Sequence, residues 1–123
     1  MQQKNLFHRL SALFVFIASL FVYYKTLSVA VVFWDVGEFI ASSVLLQVPH
    51  PPGAPLFLLI GRIAAMIPYF TDIAARLHFM SAIASACTVT FLYLIVVRLI
   101  VIFRGNPTAT IERLAVYGSS IIG

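Results

Sequence analysis

The run LHFMSAIASACTVTFLYLIVV, residues 77–97, carries no charged side chain other than the titratable His78. As a helix rising 1.5 Å per residue it reaches about 32 Å, the thickness of the hydrocarbon core of a bilayer. It extends to Phe103 if the Arg98 guanidinium snorkels to the headgroups along its own methylene stem. Within the run, Ser81 with Ser85 and Ala82 with Ala86 form small-x-x-x-small pairs, the spacing at which another helix approaches closely. The run is therefore read as a transmembrane helix with helix partners, some of them outside this chain.

The rest of the composition agrees. Of 123 residues, 62% are hydrophobic and 10% charged, which leaves too few polar side chains to cover a water-soluble domain. Toward the amino terminus a second span is predicted over 10–32. Lys25 is its only charged interruption, and this lysine can reach the headgroups while Tyr23 and Tyr24 lie in the interfacial belt. The length of that run, and the missing A-x-A-like site before Val31, Val32, Phe33 and Trp34, favour a retained anchor over a cleaved signal peptide. The net charge is +4, but the basic residues are dispersed and several flank apolar runs. They therefore report topology and make no nucleic-acid surface. Cys87 is the single cysteine, so an internal disulfide and a cysteine-rich metal site are both excluded.

Lys4 and Arg9 precede the first span, and Arg98, Arg104 and Arg113 follow the second, so both ends are expected in the cytoplasm. Residues 33–76 then form an outer loop. Its apolar stretch between Pro55 and Phe70, broken by Arg62 and Pro68, is short for a crossing and reads as an interfacial or re-entrant helix. After a turn at Gly105-Asn106-Pro107-Thr108, residues 111–123 read as the start of a third span, and the chain as the amino-terminal part of a larger multi-span protein. The expected fold class is thus an all-α integral membrane protein: a single membrane domain with spans at 10–32 and 77–103, interfacial helices between them, and the third span begun.

Two motifs in the outer loop carry chemistry. Trp34-Asp35-Val36-Gly37-Glu38-Phe39 places two carboxylates three residues apart at the membrane surface. Asp35 can serve as an N-cap, Glu38 as the N3 member of a capping box, and Trp34 against Phe39 as a hydrophobic staple. The same spacing puts both acids on one face, with Gly37 leaving the backbone open to a ligand. The second motif, His50-Pro51-Pro52-Gly53-Ala54-Pro55, is a rigid turn with Pro55 well placed in the first turn of a helix. Backbone N–H groups at that helix start, with the positive end of the dipole, favour an anion such as phosphate beside His50. The alternative is a turn that only redirects the chain.

Together the motifs resemble the first outer loop of the C-superfamily glycosyltransferases, and most closely the bacterial protein O-mannosyltransferase-like family, over the amino-terminal portion of a typical member. That family carries Trp-Asp-x-Gly-Glu-Phe and His-Pro-Pro-Gly-x-Pro strings, matched here by Trp34 to Phe39 and His50 to Pro55. Its motif often has cysteine where this chain has Val36. In protein O-mannosyltransferases proper the two acidic residues are adjacent, whereas Asp35 and Glu38 are separated. The resemblance implies a bacterial inner-membrane enzyme with its active site on the periplasmic side. Such an enzyme moves a sugar, expected to be mannose, from a polyprenyl-phosphate donor to serine or threonine hydroxyls of a protein, with inversion.

On that resemblance Asp35 is the expected base, and Glu38 orients the acceptor or Asp35. His50, the helix start after it and Arg62 or Arg76 face the donor phosphate, and Trp34 is a candidate contact to sugar or acceptor. Arg62 alternatively only snorkels. Two carboxylates and one histidine make no complete metal set, so no metal or other cofactor is expected. Expected partners are the lipid-linked donor, the protein acceptor, membrane lipid and the remaining transmembrane helices, and these residues alone are expected to bind without turnover. Two other functions remain: a small non-catalytic membrane subunit or assembly factor in which Asp35 and Glu38 merely cap a helix, and a transporter fragment using them as a proton or cation site.

Overall fold

In the computed structural model, which describes residues 2–28, 34–51, 53–105 and 110–122, five helices follow in order. They are α1 (Gln2–Lys25), α2 (Val36–Leu45), α3 (Pro55–Met66), α4 (Ile73–Arg104) and α5 (Thr110–Ile122). No strand occurs among the described residues. Two helical stretches are long and apolar enough to cross a membrane, Leu6–Lys25 and Ile73–Phe103.

The helix bounds differ from the span bounds read from the sequence at several ends. The first helix starts at Gln2 rather than residue 10 and ends at Lys25, because Leu6 and Phe7 prolong the apolar run and Leu27 N–H turns back onto the Tyr24 carbonyl at 3.4 Å. Lys25 therefore closes the helix instead of interrupting it. The expected end at Val32, like Phe33 at the head of the outer loop, lies outside the described residues, as do Pro52 and the turn residues 106–108. The second long helix begins at Ile73, four residues early, because Asp72 Oδ1 accepts the Ala74 N–H at 2.6 Å. That is a side-chain N-cap at a helix start. Helix α3 stops before Pro68, whose ring disfavours helical geometry in the preceding residue. With 12 residues it spans about 18 Å, too short to cross.

The chain divides into two compact units, one of Met1–Val22 with Ala84–Gly123 and one of Tyr23–Ile83. The first has a core of Val15, Tyr93, Val97 and Tyr117, with Ala12, Val89, Leu94, Val101 and Val116 packed against it. The His8 ring lies against Tyr93 and Tyr117, at centroid distances of 6.0 and 5.4 Å. Ser11, Thr88 and Thr90 each donate to the carbonyl four residues earlier, which satisfies hydroxyls on otherwise apolar helices.

The second unit holds α2, α3 and the start of α4. Phe39 meets Phe57, Ser43 lies against Gly61, and the Arg62 guanidinium donates to the Val44 carbonyl, each pair eighteen residues apart in sequence. A constant offset means that α2 and α3 run parallel, with their starts side by side. The chain must then run back along α2 between Leu46 and the start of α3. Leu46, in the left-handed region at φ 53°, turns the chain there, with its N–H on the Ser42 carbonyl. Arg76 fastens the other end: its guanidinium donates to the carbonyls of Ala65, Phe70 and Thr71 at 2.7, 2.7 and 3.5 Å. His78 is 2.7 Å from the Ser28 carbonyl through Nδ1, tying the segment after α1 to α4.

Candidate active site

The start of α2 is unusual. Asp35 occupies the N-cap position, yet its backbone is itself helical (φ −71°, ψ −5°) and its side chain makes no capping hydrogen bond. Side-chain capping needs an extended N-cap backbone, so that the oxygen folds back over the N2 and N3 amides. A helical Asp35 keeps its carboxylate off those amides. The residue before it, Trp34, sits at φ 71° with a side chain 92% exposed, so the expected staple to Phe39 is not formed.

Glu38 does not close a capping box either. It is bound twice by His50, twelve residues on: the His50 backbone N–H donates to Oε1 at 2.7 Å, and Nδ1 stands 2.8 Å from Oε2. A carboxylate in such a pair only accepts, so Nδ1 carries the proton. Nε2 of the same ring is then turned toward Asp35, 4.0 Å from Oδ2. The imidazole bridges the two acids, one nitrogen to each.

The chain geometry explains how His50 gets there. After Leu46 the chain runs back along α2, and Gly53 N–H donates to the His50 carbonyl at 3.0 Å. Gly53 takes φ 75°, a conformation that glycine adopts without a Cβ penalty. Pro55 opens α3 in its first turn. Phe39 supports the ring edge-on at 6.0 Å and 74°, and is itself held by Phe57 of α3 at 5.6 Å and 86°.

The electrostatics follow the hydrogen bonds. The side-chain bond from His50, then the backbone bond, hold the Glu38 carboxyl below its ordinary range. The same side-chain bond, then the charge of Glu38 and more weakly that of Asp35, hold the His50 imidazole above its ordinary range. The site thus favours a Glu38 carboxylate paired with an imidazolium. All three side chains stay between 40 and 49% exposed, so a ligand has access. The parallel packing also brings the starts of both α2 and α3 to this end, and helix starts favour negative charge. One ligand atom from each of Asp35, Glu38 and His50 lies within 4.8 Å of the others, so a single cation could also be held there.

Of the sequence-predicted site residues, the structure brings Asp35, Glu38 and His50 together. Trp34 neighbours them in the chain but points to solvent. Arg62 does not join them: its guanidinium is on the Val44 carbonyl near the end of α2, and Arg76 binds the Ala65 carbonyl in the last turn of α3 and those of Phe70 and Thr71 in the α3–α4 connection. The roles of Phe39 and Phe57 in supporting His50 were not read from the sequence. Their only signal there is the aromatic inside each motif's helix.

Residues 35–123 match the sequence family described as Protein O-mannosyl-transferase TMEM260 N-terminal domain. The match begins at Asp35. No solved structure matches the chain.

Proposed function

The chain belongs to the family of the protein O-mannosyl-transferase TMEM260 N-terminal domain, and from that premise we propose that Asp35, Glu38 and His50 form the active site of a C-superfamily mannosyltransferase. The donor is a polyprenyl-phosphate mannose and the acceptor a serine or threonine hydroxyl of a protein. Both long apolar helices lie in a membrane. The outward display of Leu10, Phe14, Ile17, Phe91, Leu92 and Ile102 along them supports this, since exposed apolar side chains in such numbers suit lipid or further helices rather than water. The loop bearing the site faces the outer side, the periplasm in a bacterial inner membrane, with the basic ends inside.

Asp35 takes the proton of the acceptor hydroxyl as its oxygen bonds to the anomeric carbon. The bond from that carbon to the donor phosphate breaks in the same displacement, the electron pair leaves with the polyprenyl phosphate, and the configuration inverts. No sugar–enzyme intermediate is needed. The imidazolium of His50, with the starts of α2 and α3 beside it, meets the charge on the departing phosphate. Glu38 holds His50 protonated and in place, a role more closely supported by its two hydrogen bonds than the orienting of acceptor or Asp35. This chemistry uses no metal, and chelation by EDTA leaves it intact.

The observation that carries the reading is the Asp35 carboxylate: at a helix start it makes no capping hydrogen bond and stands 4.0 Å from the imidazole. A capping box, on which a purely structural subunit reading depends, is not formed. The test is mannose transfer from a polyprenyl-phosphate mannose to a serine- and threonine-rich peptide, by the natural full-length protein in proteoliposomes. Asp35→Asn lowers the rate on the order of a hundredfold or more; an unchanged rate would overturn the assignment of the base.

A further inference from the structure

Between α3 and the end of α2 remote from the active site lies a contact with almost no tolerance. A Cβ built on Gly61 would come 2.6 Å from Ser43 Oγ and 3.0 Å from Ser43 Cβ, with Leu77 Cδ2 at 3.5 Å. Ser43 is fully buried and Leu77 is 1% exposed, so neither has room to yield. The Ser43 hydroxyl has no hydrogen-bond partner among the described residues. Shape rather than a polar bond sets the approach of the two helices here. The next residue on each helix adds the second fastening, Arg62 on the Val44 carbonyl.

One helical turn earlier on each helix, at the same offset, Phe39 meets Phe57, and Phe39 in turn supports the His50 ring. The helix separation fixed at Ser43 and Gly61 is therefore transmitted along two parallel helices to the aromatic pair behind the imidazole. We propose that Gly61 is a positioning residue of the site: by having no side chain it lets α3 lie on Ser43 at the separation that keeps His50 seated between Glu38 and Asp35. This rests on reading those three residues as one site, but not on the reaction they perform.

Added bulk at Gly61 pushes α3 off α2. The Phe57–Phe39 support loosens, and the ring leaves the Glu38 carboxylate. The added bulk can be offset by taking the side chain away from the other helix, which gives the inference a specific test.

The full-length protein in lipid nanodiscs, labelled with 15N-histidine and assigned with His50→Gln, reports the Nδ1–H proton of His50, which a hydrogen bond to a carboxylate moves downfield. Gly61→Ala is expected to abolish this downfield resonance and to lower mannose transfer on the order of tenfold. Exchanging the two small residues, Ser43→Gly with Gly61→Ala, is expected to restore both. A Gly61→Ala protein with the wild-type resonance would overturn the proposal. So would an exchange variant that is folded but lacks the resonance, and this second variant decides the matter if Gly61→Ala alone does not fold. Wild-type protein that shows the resonance but transfers no mannose would refute the mannosyltransferase reading and leave the positioning role standing.

Discussion

Two aspartates stand at two helix starts in the same unit, and they behave differently. Asp72 folds back on α4, its Oδ1 accepting the Ala74 N–H at 2.6 Å. Asp35 also precedes its helix, and its carbonyl accepts the Phe39 N–H at 2.9 Å, but its carboxylate caps nothing and looks toward His50 instead. The chemistry of the side chain is identical, so the backbone makes the difference: Asp35 is already helical and follows Trp34 at positive φ. The same contrast divides the cations. Arg62 and Arg76 are occupied by carbonyls, while the imidazole of His50 is held by a carboxylate and half-exposed. The proposed reactive site is thus distinguished by charged groups that the folding contacts leave exposed, and not by the mere presence of charge.

The contrast predicts that variants fall into two classes. On the reactive side, Glu38→Gln turns one of the two oxygens that accept from His50 into an amide NH2 and removes the negative charge beside the imidazole. Mannose transfer by the full-length protein is expected to fall on the order of tenfold to a hundredfold, with the midpoint of thermal melting close to wild type. On the folding side, Arg76→Ala leaves three carbonyls without their donor and is expected to cost about 2–4 kcal/mol, read from melting in detergent. A melting loss for Glu38→Gln as large as that for Arg76→Ala would erase the distinction.

A smaller effect concerns pH. The folded Glu38 lies below its ordinary value of 4.5, so its contribution is present above 4.5 and lost as pH falls through the depressed value. The folded His50 lies above its ordinary value of 6.5, so its contribution is present below 6.5 and lost as pH rises through the raised value. The pair therefore stabilises the loop most between pH 4.5 and 6.5. Melting followed against pH is expected to show this broad maximum in the wild type and to lose it in His50→Gln, whereas Asp72→Asn keeps it. The smallest effect belongs to Ser43→Ala. The hydroxyl it removes is buried without a partner among the described residues, so stability is expected to stay within about 0.5 kcal/mol or to rise.

Much of the architecture was legible before the structure. The uncharged run at 77–97 and the breaks at Pro55 and Pro68 bound α4 and α3 by elementary sterics and hydropathy. The motifs named Asp35, Glu38 and His50 as candidates, beside the alternatives of a capping box and a turn that only redirects the chain. Their joining was not legible. It depends on the chain running back along α2 after Leu46, which that residue permits by adopting a left-handed conformation that a leucine does not advertise. The capping box and staple failed for a related reason: the φ and ψ of Trp34 and Asp35 decide them, and residue identity does not. Arg62 could be read as a phosphate ligand or a snorkelling cation, and the carbonyl it binds comes into reach only once α2 and α3 pack in parallel.

The most direct measurement puts Asp35→Ala and Asp72→Ala side by side in the full-length protein, with mannose transfer from polyprenyl-phosphate mannose and thermal melting recorded on each. Asp35→Ala is expected to lose transfer by on the order of a hundredfold or more while melting like the wild type. Asp72→Ala is expected to lose about 1 kcal/mol of stability while retaining transfer at temperatures where it is folded. If Asp35→Ala instead transfers mannose at the wild-type rate and melts earlier, Asp35 is a structural cap and the proposed active site is wrong.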